Sequence, residues 1–376
     1  MKFTIKRDDF LKGLNVASKA IGSKSPIPVM MNLKLTLTVE GLFIMGSNNE
    51  ITIQTLIPTM NGEEKIISDV EYGATLISCK YLLDIVRKVE GEKISLEVID
   101  DTIVKISDNR SNFKLNSIRA EEYPDIDLSD EGMKLTLKKE ELQSLVNQTA
   151  FAASTKEQRP ILTAVNLQAD NNRLIATATD SARLARKEIQ IEEGYSFTAN
   201  IPAKVLMDVS KLIEAENSEK VSLVISDTKS LFEFANTLVS TRLISGDYPN
   251  TKNIVPKSFN FFLEANAQEL ISAMDRVSLL LSEKDNVVKL TMTRDGVEVS
   301  TKSSQVGSAT EKITVCQFDG ERMEVSFNAT YVMDAIKACG SEDVTLAFLG
   351  EMKPFIIRND QDESQIQLVT PMRTYN

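Results

Sequence analysis

The sequence predicts an α+β fold of three similar domains, each built from a strand–helix–strands unit that occurs twice. The first observation is an opening of an alternating strand followed at once by an amphipathic helix, which recurs at a spacing of about 130 residues. These openings align at Phe3, Leu135 and Phe261. The second observation is a further strand–helix opening in each copy. These second openings begin at Ala74, Ser196 and Met323.

The length of the chain agrees with several domains. It has 376 residues, and single hydrophobic cores rarely grow beyond about 250–300 residues. The dipeptides Tyr123-Pro124 and Tyr248-Pro249 occur at matching points near the ends of the first two copies. We therefore expect domains at residues 1–127, 128–254 and 255–376.

Helical periodicity predicts which faces of the helices are buried. Apolar residues at a 3.6-residue period form a stripe on the first helix. This stripe consists of Phe10, Leu11, Leu14, Ala17 and Ile21. The second helix has a similar stripe, formed by Leu82, Leu83, Ile85, Val86 and Val89. The opposite faces are therefore expected to be exposed.

Short turn signals between alternating runs predict β-hairpins that follow the helices. Asp100-Asp101, Asn171-Asn172 and Asp295-Gly296 are such signals, one in each copy. Each predicted domain would therefore combine helices with antiparallel strands.

Composition excludes several kinds of chemistry. The chain has no histidine, which rules out an imidazole base, a His-containing triad and a His-ligated metal. Cys79, Cys316 and Cys339 are far apart and form no CxxC motif, which favours a reducing compartment. Neither a signal-peptide h-region nor a run of 18 apolar residues is present. We expect a soluble cytoplasmic protein that needs no cofactor or metal and binds no membrane.

Charge is distributed unevenly along the chain. The formal net charge is −11, so the chain as a whole should not adhere to nucleic acid. The predicted exposed faces of several helices are nevertheless basic, and a loop lysine follows the first helix of each copy. A basic inner surface on an acidic protein would meet a phosphate backbone only through that surface. The basic residues are Lys12, Lys19, Lys24, Lys80, Arg87, Lys156, Lys204, Lys211 and Lys284.

Several segments together resemble the bacterial DNA polymerase III beta subunit family, the replicative sliding clamps, and the resemblance covers essentially the whole chain. They are the opening MKFTIKRDDFLKGL, Ile27-Pro28, residues 46–48 (GSN), 178–184 (ATDSARL), 246–249 (GDYP) and 371–373 (PMR). The resemblance implies the DNA clamp fold. It also implies a six-domain ring, formed head-to-tail by two chains, that encircles duplex DNA independently of its sequence and confers processivity without being an enzyme.

The resemblance further implies a pocket for short peptides, often of QLxLF type, from the replicative polymerase, the clamp loader and repair proteins. An apolar slot with basic edges would accept aliphatic and aromatic anchors. Matched by motif, the pocket residues are Arg159, Leu162, Thr179, Arg183, Leu184, Pro249, Ile254, Leu368, Val369, Pro371, Met372 and Arg373.

Family matching also assigns the edges of a homodimer. Phe113 and Leu115 would lie on the first domain, and Leu280 and Leu281 would be their counterparts on the last. Lys24 and Lys156 fall where clamps touch DNA, and the remaining basic residues given above complete the expected DNA-contacting set.

Two alternatives remain open from the residues alone. The first is a metal-dependent nuclease that uses paired acids such as Asp100 and Asp101. Adjacent acids in a turn are usually solvated turn formers, and no P-loop, GxGxxG or HExxH motif is present. The second is a repeat scaffold that binds proteins and no DNA, which loading onto nicked circular DNA would distinguish from a clamp.

Overall fold

A computed structural model describes residues 1–22, 24–100, 102–251, 253–281, 286–303 and 305–373. Within these ranges six α-helices each begin directly after a β-strand, which confirms the six predicted strand–helix openings. The helices are α1 (Arg7–Ala17), α2 (Cys79–Lys88), α3 (Lys139–Asn147), α4 (Ala203–Glu216), α5 (Ala267–Ser278) and α6 (Ala329–Cys339). None of them is long and apolar enough to cross a membrane.

Eleven strands are described within residues 1–118. They are β1 (Lys2–Lys6), β2 (Asn32–Leu37), β3 (Gly41–Ser47), β4 (Ile51–Pro58), β5 (Met60–Asn61), β6 (Glu64–Lys65), β7 (Ile67–Glu71), β8 (Gly73–Ser78), β9 (Lys93–Asp100), β10 (Ile103–Ser107) and β11 (Asn112–Ile118).

The middle of the chain contains six strands, two of them long. They are β12 (Met133–Lys138), β13 (Ala164–Thr179), β14 (Arg183–Pro202), β15 (Lys220–Ile225), β16 (Lys229–Phe234) and β17 (Thr237–Arg242). Nine strands follow. They are β18 (Phe261–Asn266), β19 (Val287–Thr293), β20 (Gly296–Ser303), β21 (Gly307–Ile313), β22 (Cys316–Asp319), β23 (Met323–Asn328), β24 (Asp343–Phe348), β25 (Phe355–Arg358) and β26 (Gln365–Val369).

The chain divides into two compact units, one of residues 1–139 and 211–243, the other of residues 140–210 and 244–376. The first unit contains a 13-stranded antiparallel sheet in the order β12-β15-β16-β17-β4-β3-β2-β8-β11-β10-β9-β1-β7. The second contains a seven-stranded sheet, β13-β14-β26-β25-β24-β18-β22, and a four-stranded sheet, β21-β20-β19-β23.

This division differs from the predicted boundaries after residues 127 and 254, because the sheets continue across those boundaries. In the first unit β17 pairs with β4, and in the second β14 pairs with β26. The domain boundaries therefore stay a prediction.

The core of the first unit follows the predicted stripes. Phe10, Leu14 and Ala17 of α1 are fully buried, and the ring of Phe10 meets that of Phe3 edge-on at 5.9 Å. On α2, Leu82 and Val86 are fully buried. The packing of α1 on the sheet is close, because a Cβ atom on Gly46 would lie 2.3 Å from the carbonyl oxygen of Ala17.

Side-chain caps mark where α5 and α6 begin. The side chain of Asn266 accepts a hydrogen bond from the backbone N–H of Glu269 at the start of α5. Asn328 accepts one from Tyr331 at the start of α6 in the same way. Such caps satisfy N–H groups that have no partner in the first helical turn. The helices pack on a core that includes Phe327, Phe348 and Phe355.

The predicted hairpins have different outcomes. Asp295 lies in the two-residue turn between β19 and β20, as predicted, whereas Asp101 lies outside the described residues. The prediction at Asn171-Asn172 is wrong, because these residues lie inside β13 where the pairing register shifts. The turn between β13 and β14 forms instead around Asp180, whose carboxylate accepts hydrogen bonds from the backbone N–H groups of Ala182 and Arg183.

Candidate peptide, DNA and dimer surfaces

An apolar row crosses one face of the seven-stranded sheet. It consists of Leu184, Leu368, Ile356 and Ala347, which lie side by side on the adjacent strands β14, β26, β25 and β24. Their side chains form one cluster, against which half-buried apolar side chains pack. These half-buried neighbours are Val255, Phe259, Phe262 and Ile366. The apolar row brings together two of the predicted pocket residues, Leu184 and Leu368.

A turn at one end of the apolar row is fixed by hydrogen bonds. The backbone N–H of Thr179 donates to the hydroxyl of Tyr248 at 3.0 Å, and the Thr179 hydroxyl donates to the carbonyl of Arg183 at 2.5 Å. Burial raises the pKa of Tyr248 to about 12, so this hydroxyl stays neutral at physiological pH. Tyr248 thus holds the segment that carries Pro249 beside the turn.

Arg183 is surrounded by partners of its own unit. Its guanidinium lies 3.1 Å from a carboxylate oxygen of Asp180 and 2.9 Å from one of Asp334. It also stacks over the rings of Tyr331 at 4.3 Å and Phe151 at 5.4 Å. The side chain is only 11% exposed. Arg183 is therefore charge-compensated and does not form the free basic edge that the sequence suggested.

The other predicted pocket residues fall into two groups. Leu162, Val369 and Pro371 are buried, and the side chain of Val369 belongs to the core rather than to the apolar row. Val369 alternates with Leu368 along β26 and so faces the opposite side of the sheet, which corrects its placement as a lining side chain. The exposed residues are Arg159, Pro249, Ile254, Met372 and Arg373.

The predicted DNA-contacting residues are exposed wherever they are described. Lys12 forms an ion pair of 2.9 Å with Glu216, and Arg87 of α2 donates to the side chain of Asn15 on α1 at 2.8 Å. Lys284 lies outside the described residues. The exposed residues are Lys12, Lys19, Lys24, Lys80, Arg87, Lys156, Lys204 and Lys211.

Strand β11 presents an open edge. Its residues 112–116 pair with β10 on one side, and none of the described strands pairs with them on the other. Phe113 on this edge is 36% exposed, and Leu115 is partly buried against the core. Proteins usually protect exposed strand edges, so an open edge such as that of β11 is a candidate for pairing with a strand of another chain.

Strand β21 is the end strand of the four-stranded sheet, and α5 packs beside it. After α5 the backbone exposes Leu279, which at 80% is more exposed than any other large apolar residue described. Leu280 is half-buried, and Leu281 packs against the core. Leu281 is partly buried in the same way as Leu115 on β11, and its assignment to a dimer edge stays a prediction.

Leu279 was missed by the sequence interpretation, although a signal for it was present. It lies off the apolar stripe of α5, and an apolar residue off the stripe of an amphipathic helix is expected to be exposed. Asp334 and Tyr331 were missed as well. Their contacts with Arg183 span about 150 residues of sequence, which no local pattern reveals.

The described residues contain no group of Cys, Asp and Glu side chains arranged to hold a metal ion. Asp100 uses its carboxylate to accept hydrogen bonds from the N–H and hydroxyl groups of Thr102, both at 2.9 Å, as turn-forming acids do. Burial raises the pKa of the Cys79 thiol to about 11 and that of Cys339 to about 12. Both thiols are therefore protonated and poorly nucleophilic at neutral pH.

Three family models match successive parts of the chain. The N-terminal domain of the DNA polymerase III beta subunit matches residues 1–127, its central domain residues 136–250, and its C-terminal domain residues 252–373.

Whole-chain comparisons agree with these matches. The beta sliding clamp of Bacillus subtilis is 35% identical over the full length of both chains. The crystal structure of the DNA polymerase sliding clamp from Bacillus subtilis superposes with a TM-score of 0.94 at 34% identity over both full chains. That of the DNA polymerase beta subunit of Streptococcus pyogenes gives a TM-score of 0.92 at 30% identity, again over both full chains. The chain therefore belongs to the DNA polymerase III beta subunit family, the sliding clamps, which are non-catalytic processivity factors.

Proposed function

We propose that two copies of this chain close head-to-tail into a ring around duplex DNA and tether DNA-processing proteins to it. The observation that carries the ring is the pair of open strand edges, β11 and β21. Phe113 is exposed on β11, and Leu279 is exposed directly after α5, which packs beside β21. Pairing β11 of one protomer with β21 of its partner would satisfy both backbone edges. It would also cover Phe113 and Leu279, whose exposure costs free energy in a monomer.

A two-fold ring has two such junctions, because each protomer contributes one edge of each kind. A junction between unlike surfaces closes into a ring when the rotation between protomers allows it. The apolar residues that we assign to this junction are Phe113, Leu115, Leu279, Leu280 and Leu281.

The oligomeric state tests this junction directly. Native mass spectrometry should give twice 41.8 kDa for the wild type. Leu279→Asp should give 41.8 kDa with an unchanged circular dichroism spectrum, because a charge cannot be buried unpaired in the junction. Val39→Asp is the matched control, since Val39 is 72% exposed and lies on neither edge. A Leu279→Asp dimer as stable as the control would refute the assignment.

Retention on DNA would be topological rather than adhesive. The chain has a net charge of −11 despite the eight exposed basic residues, and one of these, Lys12, is already paired with Glu216. Direct binding to duplex DNA should therefore be weak and should fall steeply with salt. Those eight residues, together with Lys284, are the side chains we expect to face the phosphate backbone.

We further propose that the replicative polymerase, the clamp loader and repair proteins bind at the apolar row through QLxLF-type peptides. The half-buried side chains beside the row could be covered by aliphatic and aromatic anchors, each worth about 1.5–3 kcal/mol on full burial. Because Arg183 is compensated by Asp180 and Asp334, the free positive charges at this site are expected from Arg159 and Arg373. Leu162 and Thr179 would close the end of the slot nearest the turn.

A further inference from the structure

A second candidate binding site lies in the second unit, away from the apolar row. It is a cleft of about 510 Å³ at the end of the seven-stranded sheet, where β22 is the last strand. Its floor comes from the opposite face of the sheet, because Phe261 packs on the core whereas the next residue, Phe262, packs against the apolar row. The lining residues are Asn260, Phe261, Arg294, Phe318, Asp319, Gly320 and Glu321.

The floor of the cleft carries two stacked aromatic rings. The rings of Phe261 and Phe318 are parallel within 1°, with their centroids 6.4 Å apart, and both are half-buried. The backbone at Gly320 approaches them closely, since a Cβ atom there would lie 2.5 Å from Cδ1 of Phe261. Gly320 also has a φ of +151°, which favours glycine. The loop therefore fixes the position of the rings.

The rim of the cleft carries charges that the fold does not use. Arg294, Asp319 and Glu321 are exposed, and none of them forms an ion pair within the part of the chain that the structure describes. The adjacent Arg322, by contrast, pairs with Glu324 at 2.6 Å. Two carboxylates against one guanidinium give the rim a net negative charge, which complements a cation.

We propose that this cleft binds an arginine side chain from an extended segment of a partner protein. The guanidinium would stack on the ring of Phe261 and donate hydrogen bonds to Asp319 and Glu321, because a planar guanidinium combines stacking with carboxylate recognition. The segment would run beside β22, whose outer edge pairs with none of the described strands. Arg294 would attract a carboxylate of the same segment.

Binding of a minimal probe tests this proposal. Chemical shifts of phenylalanine rings would be followed by NMR while the full-length protein is titrated with the blocked tripeptide acetyl-Ala-Arg-Ala-amide. The matched probe replaces arginine by citrulline, which is neutral and nearly isosteric. The Phe261 and Phe318 signals should shift with the arginine peptide, and the citrulline peptide should bind about tenfold more weakly. Equal affinity for the two probes would overturn the proposal.

Substitutions in the cleft, compared with a control substitution outside it, test whether the peptide binds there. The double variant Asp319→Asn/Glu321→Gln should weaken the arginine peptide about tenfold or more, whereas Asp295→Asn, a neighbouring exposed acid outside the lining, should leave its affinity unchanged. Gly320→Ala should shift the ring signals before any peptide is added. The proposal would be contradicted if the arginine peptide did not bind at concentrations up to about 10 mM. It would also be contradicted if Asp295→Asn reduced the affinity for this peptide as much as Asp319→Asn/Glu321→Gln does. A QLxLF peptide should not compete, so failure here leaves the peptide site at the apolar row untouched.

Discussion

Met372 is 41% exposed although the backbone around it is held in place. Its N–H donates to the carbonyl of Ser326 at 2.7 Å, and the N–H of Thr370 donates to that of Ala182 at 2.9 Å. An exposed apolar side chain on a held backbone just beyond β26 is suited to contacting a peptide anchor. Met372→Ala should therefore weaken a fluorescently labelled QLxLF peptide by about 1–2 kcal/mol, or five- to thirtyfold, as measured by anisotropy.

The control for Met372 is Met60→Ala, which removes a methionine of similar exposure, 46%, from the first unit. The control should bind the peptide like the wild type. Undiminished binding by Met372→Ala would move the peptide contact away from the end of β26.

A second test at the residue scale concerns the ion pair of Lys187 with Asp362, whose contribution to stability should depend on pH. Lys187 is buried and donates to Asp362 at 2.8 Å and to Ser364 at 2.6 Å. Burial alone would raise the pKa of Asp362, but the hydrogen bonds from Lys187 and Ser364 outweigh it and hold this pKa below its ordinary value of 3.8. The ionised carboxylate therefore stabilises the fold above that value, and the contribution is lost as the pH falls through the folded pKa.

Asp362→Asn should accordingly lower the free energy of unfolding by about 1 kcal/mol at pH 7. The difference from the wild type should shrink as the pH falls below 3.8. Denaturant unfolding at a series of pH values measures this. Glu363→Gln, an exposed neighbour, serves as the control. A difference independent of pH would mean that the charge of Asp362 does not act as described.

Single residues also show where sequence reasoning reaches its limit. Leu279 lies off the apolar stripe of α5 and is exposed, and that exposure could have been predicted from the sequence. The core position of Val369 followed from strand alternation once the bounds of β26 were known. The ion pairs of Arg183 with Asp180 and Asp334 depend on tertiary contacts, so the sequence could suggest a basic edge there but not its compensation.

At the scale of elements, the packing of α1 on β3 requires Gly46. A Cβ atom at this position would lie 2.3 Å from a backbone oxygen of Ala17, which a side-chain rotation cannot relieve. Gly46→Ala should therefore lower the free energy of unfolding by about 1–3 kcal/mol. Gly350→Ala is the matched control, because nothing lies within 4 Å of the corresponding Cβ position. Equal midpoints of denaturation for the two variants would contradict this packing.

Elements with strong local signals were predicted well. Strand alternation followed by a helical stripe identified all six strand–helix openings. The turn between β13 and β14 was misplaced because Asn171-Asn172 resembles a turn dipeptide. Asn171 does adopt a positive φ of 63°, but within a register shift of a continuing strand. Turn residues indicate such backbone conformations without saying whether the chain reverses.

At the scale of the whole molecule, the repeats predicted three similar domains, and the resemblance to the DNA polymerase III beta subunit family implied a non-enzymatic clamp. The family matches confirm that class. The nuclease alternative finds no support in Asp100, which serves its own turn. The pairing of β17 with β4 and of β14 with β26 could not be read from the sequence, because it joins segments of different repeats.

The central claim, a ring that holds DNA by enclosing it, is tested most directly by retention on DNA of different topology. The protein would be loaded by a clamp loader onto nicked circular duplex and washed in salt that removes direct binding. The circle would then be linearised in half of the sample. We predict that the protein stays on the intact circles and is lost from the linear DNA by sliding off its ends. Equal retention on circular and linear DNA would contradict the account.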